Sequence, residues 1–498
     1  MEESQPRSLG RRIIRWVAYA ILALLLLSVT LSILIQIPYV QNVTITTIGK
    51  KMTRDLGTYV GIGHIRLNFF DDILVDNLLI LDQSGDTLLY SERAYFDLDE
   101  PLTGLLNNRL VMQEIDLRNS KCYLKTDAAG LTNYQFLLDY LKRNTGDAPL
   151  PNEDGKDPFR IIFNPARIAV DQIEFNHHND WSGRYSRLKL DYASAQLEKI
   201  KPDDPLHFRD MSLLSPEFEL EKFPPVQPKV SDTVILKMQD STSRKKASQP
   251  LSFTIDYFEV SNGKARVINK YRPVRSTLPN VIDFRDASAY NINLEFSSVD
   301  WYNAAGFFRI DKLQAQTPEG FAIVDMEAGE VEIDSQQIQL QEMVLQTSNS
   351  VLRDHIRFGF DDLEDFKDFT NKIELDIDLN ESYVGLRDIL YFVNQLNNNQ
   401  FFLLNGGKQF DLNGRLQGTV NDLRGNQLDL NLADQGFLKG SFDLANVTIR
   451  GEERLNLDVT TAEIPITSLR QLIPNFNPPE NYDKLGNLQF SGFFDGFF

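Results

Sequence analysis

The stretch Ile373-Glu-Leu-Asp-Ile-Asp-Leu379 alternates strictly between apolar and acidic side chains. Because successive side chains of a β-strand point to opposite faces, this alternation predicts a strand with one apolar and one charged face. Glu374, Asp376 and Asp378 must then lie in water, so the strand belongs to a sheet that is dry on one side only. Such one-sided sheets are typical of antiparallel architectures. The stretch therefore indicates a mainly β fold.

The same alternation returns in Ile292-Asn-Leu-Glu-Phe296, Leu428-Asp-Leu-Asn-Leu432 and Leu455-Asn-Leu-Asp-Val459. Short strands separated by Gly, Asp or Asn turns also fill most of residues 58–123, with no room for crossover helices, which predicts an antiparallel meander. An open sheet rarely exceeds about ten strands without curling or splitting. We therefore predict a long twisted antiparallel sheet that closes on itself, pairs with another sheet or folds lengthwise into a trough.

The apolar residues of these strands are the candidate functional residues. In a trough they would line an apolar groove, whereas in a paired arrangement they would pack against a second sheet, and for any single strand both alternatives remain open. The candidate lining residues are Ile292, Leu294, Phe296, Ile373, Leu375, Ile377, Leu379, Leu428, Leu430, Leu432, Leu455, Leu457 and Val459.

A few stretches have helical rather than strand spacing. Apolar residues recur at helical intervals in Leu131 to Lys142, in Ser382 to Leu396 and in a short segment that starts near Pro465. Two polar segments, near residues 144–158 and 223–250, are predicted to be flexible surface loops because they are rich in proline and polar residues.

Residues 13–37 form an apolar span with no charge after Arg15. As a helix, the segment from Trp16 to Ile35 would extend roughly 30 Å, the thickness of a bilayer's hydrocarbon core. The alternative, a cleaved signal peptide, usually has an apolar core of only about 7–15 residues and an Ala-x-Ala site, which is absent here. We therefore predict a transmembrane anchor, with apolar contacts from Trp16, Leu22, Leu25, Leu27, Leu31 and Ile35.

Basic residues set the orientation of this anchor. They precede it at Arg7, Arg11, Arg12 and Arg15, and the next one is Lys50. The positive-inside rule then places residues 1–12 in the cytoplasm and residues 58–498 across the membrane. Residues 38–57 have mostly helical spacing, which predicts an amphipathic helix that either lies on the bilayer or closes the end of the next domain.

Composition limits the classes of partner. The net charge is −19 and the pI is about 4.8, which argues against nucleic acid and against binding of anionic lipid headgroups through a basic patch. Cys122 is the only cysteine, so no internal disulfide can form. The hydrophobic content of 42% is sufficient for a folded core.

No catalytic constellation stands out. His177-His178 is a weak metal pair, because adjacent strand residues point to opposite faces and no His-x-His spacing supports a site. Gly61-Ile-Gly63 has Arg66 where a dinucleotide-binding fingerprint needs a third glycine. Asp376 to Asn380 begins like a calcium loop but is followed by Glu381 instead of glycine. We expect no enzyme activity, no cofactor and no metal.

A set of motifs follows the anchor in a recognisable order. They are Ile37-Pro-Tyr-Val-Gln41, Leu56-Gly-Thr-Tyr-Val-Gly-Ile-Gly-His-Ile65, Asp82-Gln-Ser-Gly-Asp-Thr-Leu-Leu-Tyr90, Gly130-Leu-Thr-Asn-Tyr-Gln-Phe136, Asn413-Gly-Arg-Leu-Gln-Gly418 and Leu488-Gln-Phe-Ser-Gly492. The first two resemble the start of AsmA-like proteins, and the next two the TamB family of Bacteroidota-like bacteria. The last two look like the recurring Gly-x-hydrophobic-x-Gly element of that family.

This resemblance implies a long β-sheet folded into an apolar-lined groove, which stands in the periplasm on a single-pass inner-membrane anchor. It implies a role in carrying phospholipid acyl chains between the inner and outer membranes. The alternative role is a scaffold for outer-membrane β-barrel assembly with a partner barrel, and a third hypothesis is a plain anchored stalk. The sequence stops at Phe493-Phe-Asp-Gly-Phe-Phe498 without the family's C-terminal domain, so we expect an N-terminal portion of a longer protein.

Overall fold

Twenty β-strands and a few short helices account for most of the described chain. The computed structural model describes residues 19, 49–50, 52–67, 72–99, 109–144, 160–198, 205–226, 252–271, 280–303, 305–361, 363–392, 394–398, 400–432, 436–447, 449, 451–472 and 478–497. The mainly β class predicted from the alternation is confirmed. The chain divides into two compact units, Met1–His178 with Lys199–Pro202, and Asn179–Glu198 with Asp203–Phe498.

Unit 1 holds the first strands, and β1 to β4 form consecutive antiparallel pairs. The strands are β1 Val60–Leu67, β2 Asp72–Leu81, β3 Thr87–Asp99, β4 Arg109–Thr126 and β5 Arg160–Asn179, whose last residue belongs to unit 2.

Two helical segments cover the core of unit 1. Residues 49–50 and 52–56 are helical, and Leu56 is buried against Val60, Ile65 and Leu88. This segment, part of the predicted amphipathic helix 38–57, thus contributes to the core. The second helix is Gln135–Asn144, whose Tyr140 is buried in the same cluster.

The helix predicted from Leu131 starts later in the structure. The Asp127 carboxylate accepts the backbone N–H groups of Ala129 and Leu131 at 2.8 and 2.9 Å, which forms a turn instead of a first helical turn. Leu131 is consequently exposed. Competition from a local side-chain acceptor explains why the helix begins only at Gln135.

Unit 2 contains fifteen strands, most of them paired with their sequence neighbours. They are β6 Arg184–Leu197, β7 Leu206–Leu214, β8 Glu217–Lys222, β9 Ser252–Asn269, β10 Asp286–Tyr302, β11 Ala305–Gln316, β12 Ala322–Ile333, β13 Gln337–Thr347, β14 Val351–Gly359, β15 Glu374–Gly385, β16 Gln409–Thr419, β17 Asp422–Asn431, β18 Phe437–Ala445, β19 Arg454–Pro465 and β20 Asn487–Phe497.

The prediction of a purely antiparallel sheet is wrong at β9. Strands β7 and β8 both pair with β9 in parallel, and both pair with β6 in antiparallel. The pair β7–β8 runs as one strand interrupted at Ser215-Pro216. A parallel pair needs a connection of a dozen or more residues, and the long segment between β8 and β9 provides it. The sheet is therefore mixed.

Short helices lie between the strands of unit 2. They are the 3₁₀ helices Leu363–Asp368, Asn394–Asn398 and Glu480–Leu485 and the α-helices Phe369–Lys372, Leu386–Phe392, Gln400–Asn405 and Ile466–Leu472. The helix predicted near Pro465 is confirmed. The helix predicted from Ser382 begins only at Leu386, because Ser382 and Val384 still pair with β16.

Several predicted segments lie outside the described residues. These are the anchor 13–37 apart from Tyr19, its four preceding arginines, and most of the loops 144–158 and 223–250. In the part of the chain that the structure describes, no helix is both long enough and apolar enough to span a membrane.

Candidate functional site

Two unbroken rows of apolar residues cross the sheet of unit 2 from β12 to β20. In each row, every residue is the direct register partner of the following residue, which lies opposite it on the neighbouring strand. Row A consists of Val331, Leu340, Ile356, Ile377, Leu416, Gly425, Phe442, Leu457 and Phe494. Row B consists of Ile333, Ile338, Phe358, Leu375, Gly418, Leu423, Leu444, Leu455 and Gly496.

Neither row contains a polar or charged residue. At about 4.8 Å between neighbouring strands, eight steps extend roughly 38 Å along the sheet surface. We call the side of the sheet that carries rows A and B the apolar face.

The opposite face carries cross-strand ion pairs. Arg415 contacts Asp376 at 2.8 Å, Lys439 contacts Asp429 at 2.7 Å and Arg454 contacts Asp495 at 2.7 Å. The hydrogen bond from Arg415 lowers the pKa of Asp376, so this carboxylate remains charged at neutral pH. Such exposed pairs contribute little to stability, but they keep this face in water.

The β12 end of row A is buried. Val331, Leu340 and Ile356 are buried, Ile377 and Leu457 are half-buried, and Phe494 is 49% exposed. The buried end belongs to a hydrophobic cluster whose members all come from the consecutive strands β10 to β15. Among the described residues, that cluster includes no side chain from another layer. At this end the apolar face is therefore covered by side chains of its own strands.

A third row on this face alternates between aliphatic residues and glycine. It consists of Leu379, Gly414, Leu428, Gly440, Val459 and Gly492 on β15 to β20, and we call it the glycine row. Leu379, Leu428 and Val459 are at most 4% exposed. Each lies opposite a glycine on a neighbouring strand, which leaves room for the longer side chain.

Close backbone contact requires glycine at two positions of this row. A Cβ atom on Gly440 would lie 2.1 Å from the Asp458 carbonyl oxygen. A Cβ atom on Gly414 would lie 3.0 Å from the Asn426 and Gln427 carbonyl oxygens, and Gly414 also has a φ of 132°. A larger residue would break these contacts at Gly440 and Gly414, whereas at Gly492 no heavy atom lies within 4 Å of the added Cβ and only the φ of 151° favours glycine.

A line of β-bulges follows the glycine row. Positive φ values occur at Glu342, Asp354, Glu381 and Gln427, each at or next to a shift of the strand register. A bulge adds one residue to one strand, which bends it and increases its twist. Because the bulges lie at neighbouring positions on β13, β14, β15 and β17, the sheet bends along this line.

The backbone groups released by one bulge are satisfied by side chains. The N–H of Glu381 donates to Asn413 Oδ1 at 2.6 Å, and the N–H of Arg353 donates to Ser382 Oγ at 2.9 Å. The bend is therefore stabilised by specific hydrogen bonds and not only by the absence of side chains.

The hairpin β15–β16 and the hairpin β19–β20 follow one plan. Each consists of a strand, a connection with short helices and a returning strand, with first strands 80 residues apart and second strands 78 apart. In the first hairpin, Leu375, Ile377, Leu379, Ser382 and Val384 pair with Gly418, Leu416, Gly414, Leu412 and Phe410. In the second, Leu455, Leu457, Val459, Ala462 and Ile464 pair with Gly496, Phe494, Gly492, Phe490 and Leu488.

The helix Leu386–Phe392 bridges the ends of several strands along one rim of the sheet. Phe392 contacts Phe321 at 4.9 Å and Phe284 at 6.4 Å between ring centroids. The backbone N–H of Ile282 donates to the Tyr391 carbonyl at 2.9 Å. In a flat sheet, β10 and β15 would lie roughly 24 Å apart, whereas a seven-residue helix is about 10 Å long. The strand ends therefore converge at this rim.

A buried carboxylate attaches this helix to the turn between β13 and β14. Asp388 is 7% exposed and accepts hydrogen bonds from the Thr347 hydroxyl, from Asn349 Nδ2 at 2.7 Å and from Ser350 Oγ at 2.6 Å.

The predicted lining residues fall into two groups. Ile373, Leu379, Leu428 and Val459 are buried and serve the packing of the sheet itself. The others are half-buried and accessible from the apolar face or its continuation on β10, where Phe296 packs against the cluster of β10 to β15. These are Ile292, Leu294, Phe296, Leu375, Ile377, Leu430, Leu432, Leu455 and Leu457.

The sequence analysis names Gly414 and Gly492 only within motifs of the resemblance, and it predicts neither the glycine row nor the bridging aromatics. Gly414, Gly440 and Gly492 stand in strand-like segments, where an isolated glycine is a known signal for a bulge or a close backbone approach. That signal was present but unused. Phe284, Phe321 and Phe392 carried no signal, because their proximity depends on the curvature of the sheet.

The histidine pair lies in β5 and shows no metal-site geometry. His177 Nε2 is 3.1 Å from Thr126 Oγ1, and its ring meets Tyr134 edge-on. Desolvation lowers the pKa of His177. Among the described residues, no group of three or more His, Cys, Asp or Glu side chains could hold a metal ion.

Cys122 offers a test of burial in unit 1. Burial raises the pKa of its thiol from 9.0 to about 11. Because the thiolate is the reactive form, alkylation of the folded protein at pH 8 should be roughly 100-fold slower than in urea. In the folded protein the alkylation rate should still rise with pH above pH 9, whereas in the unfolded protein it should level off there. Equal rates in folded and unfolded protein would contradict this burial, and the absence of any other cysteine removes background labelling.

Comparisons with known proteins add no identification. No protein-family model matches the chain, and no curated protein matches it either.

Proposed function

We propose that the apolar face of unit 2 binds the acyl chains of phospholipids and conducts them along the sheet. In this proposal the protein is a TamB-like member of the AsmA-like superfamily, anchored in the inner membrane by residues 13–37. The bulk of the chain would lie in the periplasm and serve as a bridge that carries phospholipid between the inner and outer membranes.

The observation that carries the proposal is the pair of uninterrupted rows A and B. A surface of this length without one polar side chain is unusual on a protein whose opposite face is dense with ion pairs. Water against that surface costs about 25 cal/mol per Å² of apolar area. Lipid tails would remove this cost without the directional contacts that a protein partner needs.

The bend of the sheet also supports a groove. The bulge line and the glycine row lie parallel to rows A and B, so folding along them brings the two halves of each strand towards each other. The convergence of strand ends at the helix Leu386–Phe392 is consistent with the same curvature. A lipid tail would then run along the bend and contact the half-buried residues on either side.

A scaffold for β-barrel assembly is the second candidate, which the resemblance to TamB-like proteins also implies. An open edge of a long sheet can pair with an incoming strand. This alternative predicts binding of unfolded strand peptides without any requirement for lipid, with a partner barrel in the outer membrane.

Native mass spectrometry with lipid extraction tests the proposal. We expect phospholipid to co-purify in defined stoichiometry with the full chain after exchange into lipid-free detergent. The variant Leu375→Asp, which places a charge in row B, should lose most of that lipid. The matched control is Asn426→Asp, which adds the same charge at an exposed position of β17.

A chain that is folded but free of lipid would overturn the conduit proposal and favour the scaffold. Equal lipid loss in Leu375→Asp and Asn426→Asp would show that the added charge, not its position, is responsible.

A further inference from the structure

The connection between β15 and β16 has a composition unlike the rest of the described chain. From Ile389 to Gly407 there are 19 consecutive residues without Asp, Glu, Lys, Arg or His, although 24% of the whole chain is charged. Outside the first fifty residues, no other stretch without charge is as long. Asparagine and glutamine replace the charged residues, and leucine and phenylalanine stand between them.

The described part of this connection is folded and partly exposed. It contains the end of the helix Leu386–Phe392, the 3₁₀ helix Asn394–Asn398 and the helix Gln400–Asn405, which pack against one another. Leu403 is 69% exposed, Leu404 is 48% exposed and Phe392 is 44% exposed. Phe392 stacks on Phe284, which is itself 65% exposed. The connection therefore presents large apolar side chains to solvent in an uncharged setting.

The corresponding connection of the second hairpin extends the same surface. The helix Gln400–Asn405 lies beside the helix Ile466–Leu472. Between Ile464 and Pro479 the one charged residue is Arg470, whose guanidinium binds Asp483 at 2.7 Å and the Pro478 carbonyl at 3.0 Å. Both connections thus present almost no net charge, and we call them together the uncharged rim.

We propose that the uncharged rim docks on the surface of a lipid bilayer, so that lipid passes between that surface and the adjoining apolar face. The distribution of charge on the protein supports a lipid bilayer as the partner of the uncharged rim. A protein with a net charge of −19 is repelled by anionic headgroups over most of its surface, and the uncharged rim is where it can approach them closely. Leucine and phenylalanine can enter the acyl boundary while asparagine and glutamine remain among the headgroups. The inference rests on the proposed function.

A labelled full chain in lipid nanodiscs tests this docking, because the nanodisc occupies the predicted anchor and leaves the rim free. In a Cys122→Ser background, Leu404→Cys is labelled with a polarity-sensitive fluorophore, and phosphatidylcholine vesicles with or without brominated lipid are added. With vesicles of non-brominated lipid we expect the emission at position 404 to rise and shift to the blue on docking. With vesicles that contain brominated lipid we expect the emission to be quenched. The matched control, Asn426→Cys on the opposite face, should not respond.

The lipid composition of the vesicles provides a further test of the docking. Replacing part of the phosphatidylcholine with phosphatidylglycerol at low salt should weaken the response, since the rest of the surface is acidic. A response that strengthens with anionic lipid, equal responses at positions 404 and 426, or no response at all would overturn the docking.

The unlabelled double variant Leu403→Gln, Leu404→Gln separates this inference from the proposed function. It should keep the phospholipid that co-purifies with the chain but fail to compete with the labelled protein for vesicles. If the wild-type chain carries lipid but the label at position 404 does not respond to vesicles, only the docking proposal is contradicted. If no lipid co-purifies with the wild-type chain, the proposed lipid conduit is contradicted, whatever the response at position 404.

Discussion

The variant Gly440→Ala is expected to destabilise unit 2 by about 3 kcal/mol, a large effect for the addition of one methyl group. The new Cβ would lie 2.1 Å from the Asp458 carbonyl oxygen and 3.2 Å from the Val459 Cα. Both are backbone atoms of the neighbouring strand β19, so no side-chain rotation can relieve the overlap. The strands must separate, and the ladder on both sides of Gly440 weakens.

Urea denaturation followed by tryptophan fluorescence measures this loss, because Trp181 and Trp301 both belong to unit 2. The control is Gly407→Ala, where no heavy atom lies within 4 Å of the added Cβ and φ is not positive. Restricting the unfolded chain should make that control neutral or more stable by about 0.5 kcal/mol. Equal urea midpoints for the two variants would contradict the close approach of β18 and β19.

The variant Asp388→Ala is expected to release the helix Leu386–Phe392 from the rim, at a cost of about 3 kcal/mol. Removal of the carboxylate leaves the donors of Thr347, Asn349 and Ser350 without their acceptor in a buried site. The same helix holds Tyr391 and Phe392 against Phe321. Its release should therefore loosen the rim well away from position 388.

Asp388→Asn is the matched control for this effect. Its amide oxygen still accepts from Asn349, the Ser350 hydroxyl can rotate to accept from its amide nitrogen, and the Thr347 hydroxyl can donate to the Ser350 carbonyl instead. Hydrogen exchange followed by mass spectrometry should show faster exchange at the ends of β12, β13 and β14 in Asp388→Ala and little change in Asp388→Asn. Protection that is identical in the wild-type and Asp388→Ala proteins would show that the carboxylate does not hold this rim.

The strand at Ile373–Leu379 was predictable because its alternation has no competing interpretation. The same strand also shows where sequence reasoning fails. After Leu379 the alternation breaks, and the segment from Ser382 suggests the start of a helix. In the structure the strand continues to Gly385, because a bulge with Glu381 at a φ of 47° shifts the pattern by one residue. A bulge and a strand end look alike in sequence, since both interrupt the period of two.

The alternation predicted which side chains share the apolar face, but not how exposed each of them is. Alternation places Leu375 and Leu379 on the same side of β15, yet Leu375 is half-buried and Leu379 is 4% exposed. Both lie opposite a glycine of β16, Gly418 and Gly414, so the difference arises from the bend of the sheet, which passes next to Leu379 at the Glu381 bulge. Residue burial of this kind depends on the register between strands, and no pattern within one strand contains it. The parallel pairing at β9 was missed for the same reason.

The spacing shared by the two hairpins makes length an adjustable property of this protein. One period of 80 residues carries the chain from β15 to β19, four strands further along the sheet, which is roughly 19 Å. Because each of these strands pairs only with the strands next to it, unit 2 behaves as a linear array with nearest-neighbour coupling from β10 onwards. Duplication of one period would lengthen such an array without altering its cross-section, so its reach could evolve separately from the chemistry of its surface.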